Sequence, residues 1–212
     1  MENATNPGSG SDPTDMKKNN DLRGFAAISR EIGHIAYIAG GIELTAINGM
    51  LMVKKSAGST TGFGVAAHEI QALSLSFIEV TQNLSRLMYQ MSYLVGNGMN
   101  LARRMRILNA TAACHERAQT FISRTCERRR KVGSVNALHI RQSAHEVLRL
   151  LQRAQRQCLV GIALGRAGKI EAVYGAATAG RLRQVATEVQ DRMGEMMERL
   201  KSVMTAVQVW QA

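Results

Sequence analysis

Few residues in this chain have the types and spacing that chemistry requires. Cys114, His115 and Glu116 are potential metal ligands, but neighbouring helical positions point about 100° apart and do not converge on one ion. The glycine-rich strings GGIE and GSTTG lack the lysine of a phosphate-binding loop and a preceding strand. The chain contains no nucleophile elbow and no paired carboxylates. The sequence therefore predicts no metal, no cofactor and no enzymatic activity, and it favours a binding function.

Positive charge is concentrated in the middle of the chain. The formal net charge is +11 over 212 residues, and residues 101–157 alone carry a net +10. The densest clusters are Arg103, Arg104, Arg106, Arg128, Arg129, Arg130 and Lys131. One interpretation is a solvated helical face with cations near a helix C-terminus, where they oppose the negative end of the dipole. The others are an acidic protein, an anionic membrane surface or a nucleic acid, although no aromatic residues are interleaved with the clusters.

The elements that position these residues are predicted by apolar residues at alternating steps of three and four. One such seam comprises Phe25, Ile28, Ile32, Ile35, Ala39, Ile42, Ala46 and Gly49, and a second comprises Phe63, Ala66, Ile70, Leu73, Phe77, Val80, Leu84, Leu87, Met91 and Leu94. This spacing is typical of coiled-coil helices. Strands are not expected, because period-two alternation is absent and the two prolines lie at positions 7 and 13. We predict an all-α fold of antiparallel helical hairpins, a coiled-coil bundle, with the first turn at Ser56–Gly62.

The second half of the chain has two interpretations. The seam continues past Gly96 and Gly98, so one helix could run from about residue 62 to residue 131; alternatively the helix ends at Gly96 or bends at a glycine hinge. Gly133–Asn136 has the composition of the next turn, and Gly175–Gly180 that of another. A shift of 119 residues places Gly49 on Gly168, so an internal duplication is a further hypothesis.

The chain divides into three expected parts. Residues 1–21 are polar, have no apolar stripe and are expected to be a disordered leader without a secretory signal. Residues 22–95 form the first hairpin, and residues 96–212 form a basic helical region with its own turn near 175–180.

Residues 35–53 are nearly uncharged, but Glu43 near their centre is costly in lipid, so no membrane span is expected. Three cysteines without CxxC spacing favour the cytoplasm.

The string from Ile38 to Ser74 resembles the cytoplasmic signalling tip of bacterial chemoreceptors, the methyl-accepting chemotaxis proteins. It aligns without a gap and matches the family pattern at Ile38, Ala39, Leu44, Ala46, Asn48, Gly62, Phe63, Val65, Ala67, Glu69 and Leu73. The run from Gly62 to Ile70 is the most specific part. Several polar tip residues differ: Gly41 and Ile42 replace Gln-Thr, and Met52 replaces a glutamate. The string therefore resembles a divergent tip.

The resemblance implies a cytoplasmic, homo-oligomeric signalling protein that binds a chemotaxis coupling protein, a histidine kinase or chemoreceptors through its hairpin tip. The residues implied in this contact are Asn48, Lys55, Phe63, Val65 and Glu69. We expect Phe63 and Val65 to pack near the turn and the three polar residues to offer contacts. The alternatives are a basic helical protein that binds nucleic acid or an anionic membrane surface through residues 101–157, and a structural coiled-coil scaffold.

Overall fold

Four long helices make up the described part of the chain. The computed structural model describes residues 13–55, 61–114 and 119–209. The helices are α1 (Pro13–Lys55), α2 (Thr61–Cys114), α3 (Gln119–Glu171) and α4 (Ala179–Val209), and a 3₁₀ turn at Ala172–Thr178 joins the last two. These ranges contain no strand. The predicted all-α class is confirmed.

The helices form an antiparallel four-helix bundle. Each helix packs along two others, in the ring α1, α2, α3, α4 and back to α1, so α1 lies opposite α3. Ser76 of α2 accepts a hydrogen bond from Gln157 of α3 at 2.7 Å, and Glu31 of α1 pairs with Arg199 of α4 at 2.9 Å. Because consecutive helices run in opposite directions, α1 and α3 end, and α2 and α4 begin, at the same end of the bundle. We call this end the apex.

One hydrophobic core joins all four helices. The predicted seam residues of α1 and α2 lie inside it, among them Ile32 and Ile42 of α1 and Phe77 and Leu84 of α2, all 0 % exposed. Leu151 of α3 and four residues of α4 contribute to the same cluster: Val189, Met193, Met196 and Leu200. The expected division between residues 95 and 96 falls within α2, which continues across it. The two hairpins therefore share a core.

The burial pattern repeats along the chain with the shift of 119 residues. In α1, the buried residues Phe25, Ile28, Ile32, Ile35, Ala39, Ile42, Ala46 and Gly49 correspond to the buried α3 residues Ala144, Val147, Leu151, Ala154, Cys158, Gly161, Gly165 and Gly168. In α2 and α4, Phe63, Ala67, Ile70 and Phe77 correspond to Leu182, Ala186, Val189 and Met196, again all buried. The 3₁₀ turn also falls at the position equivalent to the α1–α2 connection. The bundle thus has an approximate twofold axis along its length, as the duplication hypothesis requires.

The hairpin of α2 and α3 extends beyond the end of α4, at the end of the bundle opposite the apex. We call this extension the arm; α1, which begins at Pro13, is long enough to reach along its base. The arm comprises residues 95–114 of α2 and 119–139 of α3. The continuous-helix interpretation at Gly96 and Gly98 is confirmed, because α2 passes through both, but the helix ends at Cys114 and not near residue 131. The turn expected at Gly133–Asn136 is wrong, because these residues lie inside α3. Packing along a neighbouring helix stabilises these segments more than their glycines weaken them.

The expectation of a disordered segment is wrong for residues 13–21. Helix α1 begins at Pro13, so residues 13–21, which were assigned to a disordered leader, are helical. Proline is favoured at the first helical position, because its missing N–H would have no partner there. Extension of a helix that is already packed also needs no new nucleus. Residues 1–12 lie outside the described residues, as do residues 56–60 of the predicted turn at Ser56–Gly62, whereas Thr61 and Gly62 begin α2.

Candidate partner-binding surface

Ten of the eleven residues that match the chemoreceptor pattern fall into two sets in the structure, and the other, Leu73, is half-buried. Five are buried and contribute to the core: Ile38, Ala39, Ala46, Phe63 and Ala67. Five are exposed: Leu44, Asn48, Gly62, Val65 and Glu69. Packing of the bundle accounts for the first set, since any coiled-coil seam requires apolar residues there. Packing also accounts for Gly62, because a side chain there would collide with Glu171 of α3. It does not account for the other four exposed residues, which lie on the outside of α1 and α2 near the apex.

Phe63 is a core residue and not a contact residue. Its side chain is 3 % exposed. A Cβ built on Gly49 would lie 3.0 Å from the Phe63 ring, and one built on Gly168 would lie 3.5 Å from it. The ring therefore occupies the space that these two symmetry-related glycines leave open at the apex. The expectation that Phe63 packs near the turn is confirmed.

The expectation that Val65 also packs near the turn is wrong. Its side chain is 61 % exposed, because the outward side of α2 at this level meets no other helix. The three polar residues implied in binding, Asn48, Lys55 and Glu69, are exposed as well. Four of the five tip residues are thus exposed. Asn48 lies beside the groove between α1 and α4, whereas Glu69 is seven residues before Ser76, whose hydroxyl meets α3. The four residues therefore span the outward side of the first hairpin from its α4 edge to its α3 edge.

An exposed apolar stripe on α1 was not recognised in the sequence. Tyr37, Leu44 and Leu51 are 79 %, 64 % and 50 % exposed and are seven residues apart, so they lie on one outer face. Beside this face, a groove between α1 and α4 is lined by Tyr37, Leu44 and Asn48 on one side and by Arg181 and Arg192 on the other. The second seven-residue period was present in the sequence, but the inner seam of the same helix obscured it.

Apolar residues on two faces give α1 an unusual composition for a surface helix. By length and composition, the segment Arg23–Lys55 could cross a membrane. Its inner face, with Ile32, Ile35 and Ile42 completely buried, is part of the bundle core, and a core helix passes the same test. The outer face is the part that the bundle leaves uncovered.

The seven basic residues singled out in the sequence meet at one level of the arm. The Cys126 thiol donates to the side-chain oxygen of Asn109 at 3.4 Å, and a Cβ on Gly133 would lie 3.5 Å from a methyl group of Leu101. Arg103, Arg104 and Arg106 therefore lie opposite Arg128, Arg129, Arg130 and Lys131, between these two contacts. We call this group the collar. The two clusters are far apart in the sequence and adjacent in the fold.

The described cysteines and acidic residues form no cluster of metal ligands. Among the described residues, no three His, Cys, Asp or Glu side chains come together as metal ligands would. Cys126 and Cys158 are buried. Burial raises the pKa of the Cys158 thiol to about 12, so this sulfur stays protonated and unreactive near neutral pH.

Comparisons with known proteins leave the family open. No protein-family model matches the chain, and no curated protein or solved structure shows significant similarity to it.

Proposed function

We propose that this chain is a cytoplasmic, chemoreceptor-like interaction protein that binds a chemosensory partner through the outer faces of α1 and α2 near the apex. The partner class is a chemotaxis coupling protein, a histidine kinase or a chemoreceptor. The contact comprises Leu44, Asn48 and Lys55 of α1 with Val65 and Glu69 of α2. This proposal rests on the sequence resemblance together with the exposure of these residues.

The observation that carries the proposal is the exposure of apolar residues that the bundle does not use. Leu44 and Val65 are 64 % and 61 % exposed, and both match the receptor pattern. Exposed apolar side chains that share a face with polar ones are typical of protein-binding surfaces. A structural scaffold would need the inner seam and would not need these outer residues.

The approximate twofold axis makes the two hairpins comparable, and they differ at three of the exposed receptor-like positions. The positions of α3 equivalent to Leu44 and Asn48 are Ala163 and Ala167, both exposed. The position of α4 equivalent to Val65 is Gln184, while Glu69 has an acidic counterpart in Glu188. We therefore propose that each chain binds one partner, on the α1–α2 side of the apex.

The test measures binding of the purified full-length chain to a chemotaxis coupling protein from the same genome. We expect Leu44→Asp and Asn48→Arg each to weaken the complex at least about tenfold, because each places an unpaired charge within the contact. The matched controls are Ala163→Asp and Ala167→Arg, which make the same residues at the equivalent positions of α3 and should leave the affinity unchanged. Phe63→Asp is unsuitable, since it would disrupt the core.

Three results would contradict the proposal. The first is absence of binding to the coupling protein and also to the cognate kinase and receptor. The second is equal loss of affinity in the α1 variants and in their α3 controls. The third is a lower melting temperature in the α1 variants than in the controls, because this would make the loss of binding a consequence of unfolding.

A further inference from the structure

The collar concentrates positive charge over about one turn of the arm. Residues 103–106 and 128–131 each cover roughly 5 Å of helix axis, and the register of α2 against α3 places them side by side. Six of the seven side chains are exposed, and Arg129 is half-buried. Between residues 80 and 145 the sequence contains two acidic residues, Glu116 and Glu127. Glu127 pairs with Lys131 at 3.5 Å, and Arg106 also has a partner. The other five arginines make no ion pair with any residue that the structure describes, so most of the charge of the collar is available to a ligand.

The fold itself does not account for the collar. A cluster of cations stabilises a helix at its C-terminus, through the macrodipole. Arg128, Arg129 and Arg130 lie about ten residues after α3 begins at Gln119, in the part of the helix nearer its positive end. The interpretation of this cluster as a helix C-terminus is therefore wrong. Like charges at one level also repel one another, so the collar costs stability in the absence of an anion.

The arrangement favours a flexible polyanion over a flat anionic surface. Arg103 and Arg106 line a shallow groove with Ile107. Four consecutive residues, 128–131, point in four directions, since each helical position turns by about 100°. A membrane can meet only one side of such an arm, whereas a strand can wrap around it. Six of the seven cations are arginines, whose planar guanidinium groups hold phosphate oxygens in pairs.

Exposed aromatic side chains lie in line with the collar. Tyr93 and His139 line one groove between α2 and α3. Tyr93 precedes Arg104 by eleven residues and His139 follows Arg128 by eleven, which is about three helical turns, so both arginines lie on the groove side. Phe121 is 75 % exposed and precedes Arg128 by seven residues, about two turns. The collar is thus flanked on this side by aromatic rings, one towards the bundle and one towards the end of the arm.

We propose that the arm binds single-stranded nucleic acid, with backbone phosphates on the collar and bases stacked on Tyr93 and Phe121. The two parts act together: the cations give affinity without reading the sequence, and the rings accept any base, because every base has a stacking face. This site is separate from the apex and does not depend on the proposed function there. A chain that uses both would bind a protein at one end and a nucleic acid at the other.

The test measures fluorescence anisotropy of a labelled twelve-nucleotide oligothymidine with the full-length chain at several salt concentrations. Two triple variants remove the collar by halves: Arg103→Gln, Arg104→Gln, Arg106→Gln, and Arg128→Gln, Arg129→Gln, Arg130→Gln. The matched control removes three exposed arginines of the bundle: Arg153→Gln, Arg156→Gln, Arg166→Gln. All three variants lose the same amount of positive charge, so any difference in affinity between them reflects where the substituted arginines lie.

We expect each collar variant to bind at least about tenfold more weakly at low salt, and the control variant less than threefold. The slope of log affinity against log salt should become less steep by about 2 in each collar variant, since three phosphate contacts are lost at roughly 0.7 each. Tyr93→Ala should weaken binding by about fivefold or more through lost stacking. Tyr37→Ala, at a tyrosine of the bundle that is 79 % exposed against 62 % for Tyr93, should have no effect.

Several outcomes would overturn this proposal. One is no binding of the oligonucleotide, or equal loss in the control and collar variants. Another is collar-dependent binding to phosphatidylserine vesicles without binding to the oligonucleotide, which would assign the collar to a membrane. A third is that inorganic polyphosphate binds as tightly as the oligonucleotide while Tyr93→Ala changes nothing. Because the substitutions relieve repulsion, melting temperatures should not fall, and a fall would also count against the proposal.

Discussion

At the scale of single residues, Phe63 and Val65 show that two apolar residues of one sequence string can have opposite environments. Both belong to the same receptor-like string, and both are apolar. Phe63 continues the inner seam and lies against Gly49 and Gly168, so its burial follows from helical spacing. Val65 is two positions further on, which places it on the opposite side of α2. The resemblance alone could not separate a packing residue from a contact residue, whereas the seam spacing separates them.

Cys158 provides a pH-dependent prediction. Burial raises the pKa of its thiol from 9.0 to about 12 in the folded chain. Between these values the unfolded thiol loses its proton and the folded one keeps it. The contribution to stability is therefore complete below pH 9 and is lost as the pH rises towards 12.

We expect Cys158→Ala to reduce this loss. At pH 10.5 the thiol should account for a decrease of about 2 kcal/mol in the free energy of unfolding relative to pH 8. Urea denaturation of the wild type and of the variant at the two pH values measures the difference between their decreases. An identical decrease in both proteins would show that Cys158 does not contribute.

At the scale of elements, the path of α2 depends on packing more than on composition. Gly96 and Gly98 are strong signals for a helix end, yet α2 passes through both. A Cβ built on either glycine meets no atom within 4 Å, so neither glycine is required by a close neighbour. Gly165 differs, because its Cβ would lie 3.2 Å from the carbonyl oxygen of Ala186 in α4. The first two weaken the arm, and the third allows two helices to approach closely.

We expect Gly96→Ala and Gly98→Ala each to stabilise the arm by about 1 kcal/mol, the difference in helix propensity. Hydrogen exchange of the amides in residues 95–139 measures this locally. Gly165→Val is the contrasting variant and should destabilise the bundle, since its side chain would collide with α4. Lower protection of the arm in the alanine variants would show instead that the glycines provide a needed hinge.

At the scale of the whole molecule, the two hairpins form one cooperative unit. Ile32 of α1 and Leu151 of α3 are equivalent under the 119-residue shift, and both are 0 % exposed in the same core. Neither hairpin can bury its inner face alone, because each half of the core is supplied by the other. A division of the chain into independent units at residue 95 is inconsistent with this packing.

We expect Ile32→Ala and Leu151→Ala each to lower the free energy of unfolding by about 2 to 5 kcal/mol in a single transition. Urea denaturation followed by circular dichroism and by hydrogen exchange should give one common transition. Leu159→Ala, at a 60 % exposed position of α3, should change stability by no more than about 0.5 kcal/mol. Two separate transitions, with each variant shifting only one of them, would show that the hairpins fold independently.

The sequence by itself determined the all-α class, the phase of the inner seams, and the chain reversals that follow α1 near residue 55 and α3 near residue 175. These features are local: apolar spacing of three and four residues fixes which side of a helix is buried, wherever that helix lies. The equivalence of the two hairpins was also present in the sequence, in the phase-preserving shift from Gly49 to Gly168.

Only the tertiary structure decided where the chain reverses between α2 and α3. The seam keeps its spacing from Ala112 to Ile122 whether the helix continues or turns back, so periodicity contains no signal for the reversal. The glycine-rich signals at 96–98 and 133–136 lie instead within helices, because packing along a neighbour compensates for a weak helix former. The position of that reversal places Arg104 opposite Arg130. The collar therefore arises from the pairing of two helices and from neither helix alone.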